Sequence, residues 1–489
     1  MSTTPAPALT GRDHVGRLGL PAATALIMGG IIGTGVFTLP ASIAAYGWMA
    51  IIALVVVSIG ALMLALMFGS LAKREPDAGG PYAYARHAFG DFAGFTTAWP
   101  YWITAWAGNA AIVVGWTFYV EALFGWDDVP WTTSAIIAMV GLWLPAAINL
   151  VGVRSMGAFQ IVTTILKFLP LAFISTIGLF FAFREAQWPE FNPSGDSWFG
   201  ALSTAGALLL FSYLGVETAS VAAAKVRNPA HNVPRATVYG TLACAAVYIF
   251  STLAIFGIVP NATIQSTGAP FTDAFAVIFG GSWAGTMVAA FAVISGIGAL
   301  NGWTMICAEM PQAAAADGLF PSMFGKVSRR GVPWVGIVFS TALASAFTVF
   351  SYATATGVDV FTTLVLLTGV TAAIPYFFSA LAQLYYLFTH GRELERRTFA
   401  RDATIAVLAM LFSFWFVFGS GETATYWAYL MILVGYIVLL GLYVARWRSH
   451  REDAVATVSA SFDGAPTTAQ PLDGAPAPIT EAHRTAGTG

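Results

Sequence analysis

The chain has 489 residues, of which 57% are hydrophobic and only 9% are charged, and its mean hydropathy is +0.73. An average soluble domain carries roughly 25% charged residues, so this composition excludes a soluble globular protein. The net charge of −2 gives no reason to expect a nucleic-acid partner. Cys244 and Cys307 each lie inside an apolar segment, so neither a metal cluster nor a disulfide framework is expected.

Residues 1–17 are polar and lack an apolar core followed by a cleavage site, which predicts a cytoplasmic N-terminal segment and no cleavable signal peptide. From residue 18 to residue 451, long apolar segments separated by short gaps predict a transmembrane domain of twelve helices, with no inserted soluble domain. The predicted spans are 20–45, 48–71, 92–124, 131–152, 158–183, 199–223, 236–259, 275–310, 335–353, 361–389, 403–420 and 425–446. Residues 452–489, rich in Ala, Pro, Thr and Gly, predict a disordered cytoplasmic tail.

Basic residues are segregated between the two sides of the predicted bundle. Of the 22 Lys and Arg residues, nineteen lie on the side of the N-terminus, which we call the basic face, and only Arg184 lies on the opposite side; Lys167 lies within a span and Arg484 in the tail. Because short cytoplasmic loops carry an excess of Lys and Arg, both termini are predicted to be cytoplasmic, and the protein is predicted to reside in the inner or plasma membrane.

Glycine interrupts two of the predicted spans near their middle. The first segment is GGIIGTG at 29–35, in span one, and the second is SYLGVET at 212–218, in span six. Close helix packing is one explanation, since small residues are common where membrane helices meet. The two interruptions nevertheless lie five spans apart at matching places, which is typical of inverted repeats whose first helices are discontinuous and line a substrate cavity.

Two ionisable residues, Lys167 in span five and Glu217 after the second interruption, lie deep within predicted spans. A charge at the bilayer centre costs about 3 kcal/mol or more. Lys167 could snorkel to an interface and Glu217 could be a protonated structural hydrogen-bond partner, but the functional interpretation is a relay for protons or substrate charge.

Aromatic side chains lie in or beside the spans that would surround the cavity. They are Tyr101, Trp106, Phe211 and Trp303. Each alone is explained by packing, but an ammonium or guanidinium substrate would need aromatic faces together with a carboxylate, and both are present.

At these residues the sequence resembles the amino acid–polyamine–organocation (APC) superfamily, and within it the bacterial arginine/agmatine antiporters of the basic amino acid/polyamine antiporter family. The motifs that carry the resemblance are GGIIGTGVFTLP at 29–40, GGPYAYARHAFG at 79–90, YWITAWAGNAAIVV at 101–114, FSYLGVETASVAA at 211–223, NPAHNVPRA at 228–236, NGWT at 301–304 and ADGLFP at 316–321. The resemblance implies an all-α membrane protein with the LeuT-like 5+5 inverted repeat, discontinuous helices 1 and 6 and two extra helices. It also implies alternating access and, in many members, a homodimer.

The resemblance further implies a substrate site whose residues match family positions. They are Ile31, Gly33, Thr34, Gly35, Tyr101, Thr104, Asn109, Phe211, Leu214, Glu217, Trp303 and Thr368. Several positions depart from the arginine/agmatine exchangers: Gly30 replaces an asparagine, Ile112 a methionine, and Thr104-Ala105 an alanine–cysteine pair. In addition, Phe211 stands where they have a guanidinium-stacking tryptophan, and Lys167 where they have a small apolar residue. Lys167 resembles instead the span-five lysine of proton-coupled permeases in the same superfamily. Together with Glu217, it is therefore a predicted proton-coupling residue.

Two transport functions therefore stand beside one alternative of another class. The first is exchange of a basic, arginine-like amino acid for its amine or another amino acid; the second is a proton-coupled permease of broader or neutral specificity that uses Lys167. A non-transporting receptor or scaffold would leave the paired helix breaks unexplained. An enzyme is not expected, because no nucleophile–base set is evident, and neither is a cofactor. The expected partners are the small-molecule substrate, protons, the lipid bilayer and a second copy of the chain.

Overall fold

The computed structural model of the protein describes residues 19–462, apart from 34, 76–79, 127, 153–155, 184–188, 219–225, 356 and 391–394. The described residues form helices and connecting turns, with no β-strand among them. Ten helices in these ranges are long and apolar enough to cross a membrane, and one further pair of helices, bent by 46°, is an eleventh candidate. The protein is thus an all-helical membrane protein. The predicted N-terminal segment 1–17 lies outside the described residues.

The described part of the chain before residue 211 contains eight α-helices. They are α1 (Leu20–Ile31), α2 (Gly35–Ile43), α3 (Trp48–Arg74), α4 (Pro81–Phe89), α5 (Asp91–Phe124), α6 (Trp131–Val151), α7 (Met156–Phe173) and α8 (Trp198–Leu210). A π-helical segment, Ile174–Ala182, continues α7, and a 3₁₀ turn, Phe211–Tyr213, continues α8.

From Pro229 onward, the described residues form eight more. They are α9 (Pro229–Ile258), α10 (Asn261–Ser266), α11 (Pro270–Phe279), α12 (Ser282–Ala316), α13 (Trp334–Thr354), α14 (Val358–His390), α15 (Arg396–Gly419) and α16 (Gly421–Phe462). Helix α16 therefore extends past residue 452, where the tail was predicted to begin, and residues 463–489 lie outside the described part of the chain.

Ten of the predicted spans correspond to helices long enough to cross a membrane, with differences at the ends, and the first corresponds to the bent pair α1 and α2. The predicted sixth span, 199–223, contains the shorter helix α8, and its residues 219–223 lie outside the described part of the chain. The predicted span 275–310 begins only at Ser282, because Gly280 and Gly281 separate it from the short helix α11. Helix α4, formed by PYAYARHAF, was not predicted: it is short, begins with a proline and is mostly buried. In the predicted sixth span, the regular α-helix α8 ends at Leu210.

Helix α5 lies at the centre of the compact unit formed by residues up to Tyr436. Every residue from 93 to 117 is buried, and the helix packs against α12 and α14. On the outside, large apolar side chains such as Leu408, Leu411, Phe414 and Phe418 of α15 are exposed. An apolar exterior around a bundle in contact through small residues is what a bilayer requires, because lipid tails are as apolar as Leu.

Candidate functional site

The two glycine segments interrupt the helices and lie against each other. Helix α1 ends at Ile31 and α2 starts at Gly35, whereas the chain after α8 passes through a 3₁₀ turn to Tyr213 and further turns to Glu217. Gly215 has φ +100°, and a Cβ atom there would lie 2.8 Å from the carbonyl oxygen of Gly30. Only glycine fits this conformation and this close approach of two backbones.

The carbonyl groups released at the break in span one receive donors from other helices. Lys167 of α7 is fully buried, and its Nζ donates to the carbonyl oxygen of Ile32 at 2.8 Å and to that of Gly29 at 3.3 Å. The hydroxyl of Tyr248 on α9 donates to the carbonyl oxygen of Ile31 at 3.2 Å. Unwound backbone at membrane depth needs such partners, so Lys167 lies inside the bundle against the break and does not reach an interface.

Glu217 lies beside the second break, where both carboxyl oxygens accept a hydrogen bond from a tyrosine. Tyr101 of α5 donates its hydroxyl to Oε1 at 2.8 Å, and Tyr376 of α14 donates to Oε2 at 2.8 Å. Only 1% of Glu217 is exposed. A buried carboxyl group is tolerated when its oxygens are hydrogen-bonded, and the two phenols fix this one between the break, α5 and α14.

A small cavity, of about 20 Å³, lies where the two breaks meet α5 and α12. Its lining residues are Gly30, Ile31, Gly33, Gly35, Val36, Gly108, Ile112, Phe211, Ser212, Leu214 and Trp303. A volume of roughly 10–15 Å³ holds one water, so an amino acid would enter only after the lining side chains move. The ring of Phe211 packs tightly against Gly35, since a Cβ atom on Gly35 would lie 2.4 Å from the ring carbon Cε1 of Phe211.

Two features of the cavity wall are polar. Gly35 and Val36, the first two residues of α2, line the cavity. Their backbone N–H groups have no partner within the helix, because they belong to its first turn. The hydroxyl of Ser212 is buried and has no hydrogen-bond partner among the described residues. A helix N-terminus favours an anionic group, and an unpartnered hydroxyl suits a polar ligand atom.

The structure brings half of the predicted site residues together at the cavity. Ile31, Gly33, Gly35, Phe211, Leu214 and Trp303 line it. Tyr101 and Glu217 are joined by a hydrogen bond and are not among the lining residues, although Glu217 follows the lining residue Leu214 by three positions. Thr34 lies outside the described residues.

Three other predicted residues are buried but are not among the cavity-lining residues. The hydroxyl of Thr104 lies 2.8 Å from that of Thr371, and Asn109 donates through Nδ2 to the hydroxyl of Thr304 at 3.4 Å. Thr368 donates to the carbonyl oxygen of Val365 in its own helix at 2.7 Å. The first two contacts join α5 to α14 and to α12, whereas the third lies within α14.

Some participants were not predicted as site residues. Gly30, Val36, Gly108, Ile112 and Ser212 line the cavity, and Tyr376 holds Glu217. Tyr376 has no signal of its own in the sequence, because a single tyrosine in an apolar helix is equally explained by packing. Among the described residues, no group of His, Cys, Asp and Glu is arranged to hold a metal ion.

Comparison with known proteins gives the family. The amino acid permease family profile matches residues 18–442. The putrescine transporter PotE of Haemophilus influenzae is 29% identical over 420 residues, which cover 86% of this chain and 95% of that protein. A cadaverine/lysine antiporter of Escherichia coli is 30% identical (74% and 82% covered), and an arginine/ornithine antiporter of Pseudomonas aeruginosa is 30% identical (83% and 86% covered). The chain therefore belongs to the amino acid permease family of the APC superfamily and is of the basic amino acid/polyamine antiporter type.

Proposed function

We propose that the protein is a secondary active transporter that exchanges a basic, arginine-like amino acid for its amine or for another amino acid by alternating access. The observation that carries the proposal is the cavity at the junction of the two helix breaks, together with a buried carboxyl group, Glu217, three residues after Leu214 of the cavity wall. The names of the relatives support the same class, since they transport or exchange lysine, arginine, ornithine and their amines.

The α-carboxylate of the substrate would bind at the start of α2. The N–H groups of this helix end, at Gly35 and Val36, carry partial positive charge where the cavity begins. The buried hydroxyl of Ser212 supplies a further polar contact on the opposite break. An amine product lacks the carboxylate, so it would use only the contacts made by the other end of the molecule.

The cationic end would bind between Phe211 and the region of Glu217. An aromatic face attracts an ammonium or guanidinium group, although phenylalanine is a weaker partner than tryptophan. Glu217 supplies negative charge at hydrogen-bonding distance from Tyr101 and Tyr376. Basic substrates are therefore preferred over neutral ones in this proposal.

Alternating access explains why the cavity is so small. A site of about 20 Å³ is too small for an amino acid, and transport requires that it open to each side in turn. The predicted twelve-helix 5+5 arrangement supplies such a movement, because one repeat moves against the other around a fixed site. Phe211, packed on Gly35, is the side chain whose movement would enlarge the cavity.

A counterflow panel in proteoliposomes tests the exchange. Vesicles containing the full chain are loaded with arginine, agmatine, lysine, ornithine or a neutral amino acid, and uptake of labelled external substrate is measured without a pH gradient. We expect counterflow with basic amino acids and amines and little with neutral ones. Counterflow supported only by neutral amino acids would contradict the proposal.

The second candidate is a proton-coupled permease, and Lys167 favours it. Its Nζ bonds to the carbonyl oxygens of Gly29 and Ile32, where loss of a proton would remove a charged donor from the break. In this case substrate uptake would follow an imposed pH gradient with no internal substrate.

We also propose that a transporter domain of residues 18–451 lies in the cell membrane with both flanking segments in the cytoplasm. The nineteen basic residues of the basic face support this orientation. A membrane-impermeant maleimide tests it in intact cells. Gln265→Cys should react and Arg329→Cys should react only after permeabilisation; the reverse order would overturn the orientation.

A further inference from the structure

A cleft of about 480 Å³ lies at the basic face, between α3, α9 and α15. It is separate from the cavity at the helix breaks, with which it shares no lining residue. We call it the basic cleft, and the residues that determine its chemistry are Leu66, Lys73, Arg74, Val238, Arg401 and Ile405.

Positive charge exceeds negative charge in the basic cleft. Asp402 is the carboxylate among its lining residues; Arg401 donates to Oδ1 through Nε and Nη2 at 3.0 and 2.9 Å, and Arg74 donates to Oδ2 through Nη2 at 3.3 Å. With Lys73, three cations face one carboxylate. Each guanidinium has several more N–H donors than these contacts use. The cleft can therefore accept a ligand that carries at least one negative charge.

The N-terminal end of α15 adds to the preference of the cleft for an anionic ligand. Thr398, in the first turn of α15, also lines the cleft. The N-terminal turn of a helix carries partial positive charge and favours phosphate groups. Arg401 follows Thr398 by three residues, so its side chain and the helix end lie on one side of α15.

Deeper in the membrane, the same three helices make the cleft apolar. Ile405 lies four residues beyond Arg401, and Leu66 lies seven residues before Lys73. At 1.5 Å per helical residue these distances are about 6 and 10 Å. Next to the lining residues, Tyr239 of α9 and Leu408 of α15 are 53% and 46% exposed on the apolar exterior. The cleft thus has a cationic mouth at the membrane surface and an apolar interior next to the bilayer.

We propose that the basic cleft binds the phosphate of an anionic phospholipid, with the first carbons of its acyl chains against Leu66, Val238 and Ile405. A basic pocket between membrane helices on the cytoplasmic side fits such head groups. A soluble phosphate would use the mouth alone and would leave the apolar part of the cleft without a function.

Native mass spectrometry of the purified full chain tests the proposal, with phosphatidylglycerol and phosphatidylcholine as probes. Each Lys or Arg near an anionic lipid surface contributes about 1 kcal/mol, which is about fivefold in affinity. We expect the parent to prefer phosphatidylglycerol, Lys73→Gln to lose this affinity about fivefold, and Lys73→Gln with Arg401→Gln to lose it about 30-fold. The matched control, Lys326→Gln with Arg329→Gln, removes two exposed charges of the basic face outside the cleft and should change little.

Two further measurements test whether the phosphate binds at Arg74 and Arg401 and whether the ligand is a lipid or a soluble anion. Asp402→Asn removes the carboxylate that competes for Arg74 and Arg401, so phosphatidylglycerol should bind more tightly to this variant. Inorganic phosphate should not displace the lipid. Equal lipid affinity in the cleft variants and the control would overturn the site, and full displacement by inorganic phosphate would make it a site for a soluble anion. Lipid binding is measured without transport, so it does not depend on the proposed exchange.

Discussion

Glu217 is a buried carboxyl group, and each of its two oxygens accepts a hydrogen bond from a tyrosine hydroxyl. We predict that Glu217→Ala abolishes transport or its pH dependence while the protein still inserts, because it removes the negative charge beside the cavity. Glu217→Asp should retain part of the activity. Substrate uptake is measured in proteoliposomes at acidic and neutral pH. Unchanged uptake by Glu217→Ala at both would remove this residue from the mechanism.

Tyr376 tests whether the carboxyl group must be held in place. Tyr376→Phe leaves Oε2 without this donor, and a hydrogen bond to a charged group is worth about 1.5–3 kcal/mol. We predict that exchange falls about tenfold or more, whereas Tyr352→Phe, at a buried tyrosine of α13, leaves it near the parent rate. Equal rates for the two variants would show that Tyr376 only fills space.

Phe211 is the residue expected to decide selectivity. Phe211→Ala removes an aromatic face worth about 2 kcal/mol in a desolvated site, so binding of a cationic substrate should weaken by up to about 30-fold. Phe211→Trp should improve arginine affinity. The measurement is substrate-dependent thermal stabilisation, with the bilayer-facing Phe414→Ala as the control. If Phe211→Ala binds every substrate as the parent does, the ring does not contact the substrate.

At the scale of elements, the two helix breaks depend on contact between backbones. We predict that Gly215→Ala disrupts folding or transport, because a Cβ atom at φ +100° is strained by about 1–2 kcal/mol and would lie 2.8 Å from the carbonyl oxygen of Gly30. Gly302→Ala is the matched control, since a Cβ atom there meets nothing within 4 Å. Expression, monodispersity and counterflow are compared. Normal values for Gly215→Ala would mean that the breaks need not touch.

The elements differ in how far the sequence could predict them. Long apolar runs predicted the membrane helices, because a bilayer requires about 20 apolar residues in a row, and the spacing of Gly33, Gly35 and Gly215 predicted where two spans would break. Helix α4 escaped prediction because nine residues with little apolar character give no membrane signal. Tyr376 escaped as well, since one tyrosine in an apolar helix looks like packing until the fold brings it to Glu217.

At the scale of the whole molecule, the proposed alternating access requires that the site open to one side and then to the other. The coupling ion can bias that equilibrium only through a different affinity for the two states. Lys167 is placed for this role because it joins α7 to the break between α1 and α2 through two carbonyl oxygens. Protonated, it would brace the conformation described here; without its proton, the brace would loosen.

Lys167→Ala therefore separates two activities that share one site. We predict that uptake driven by a pH gradient is lost, while exchange of substrate for substrate survives. Tyr248→Phe is the matched control, because it removes the donor to the carbonyl oxygen of Ile31 without removing an ammonium group. Coupling through Lys167 is contradicted if gradient-driven uptake persists at the parent rate in Lys167→Ala. If the parent itself shows no gradient-driven uptake, Lys167 is a structural brace, and exchange alone accounts for transport.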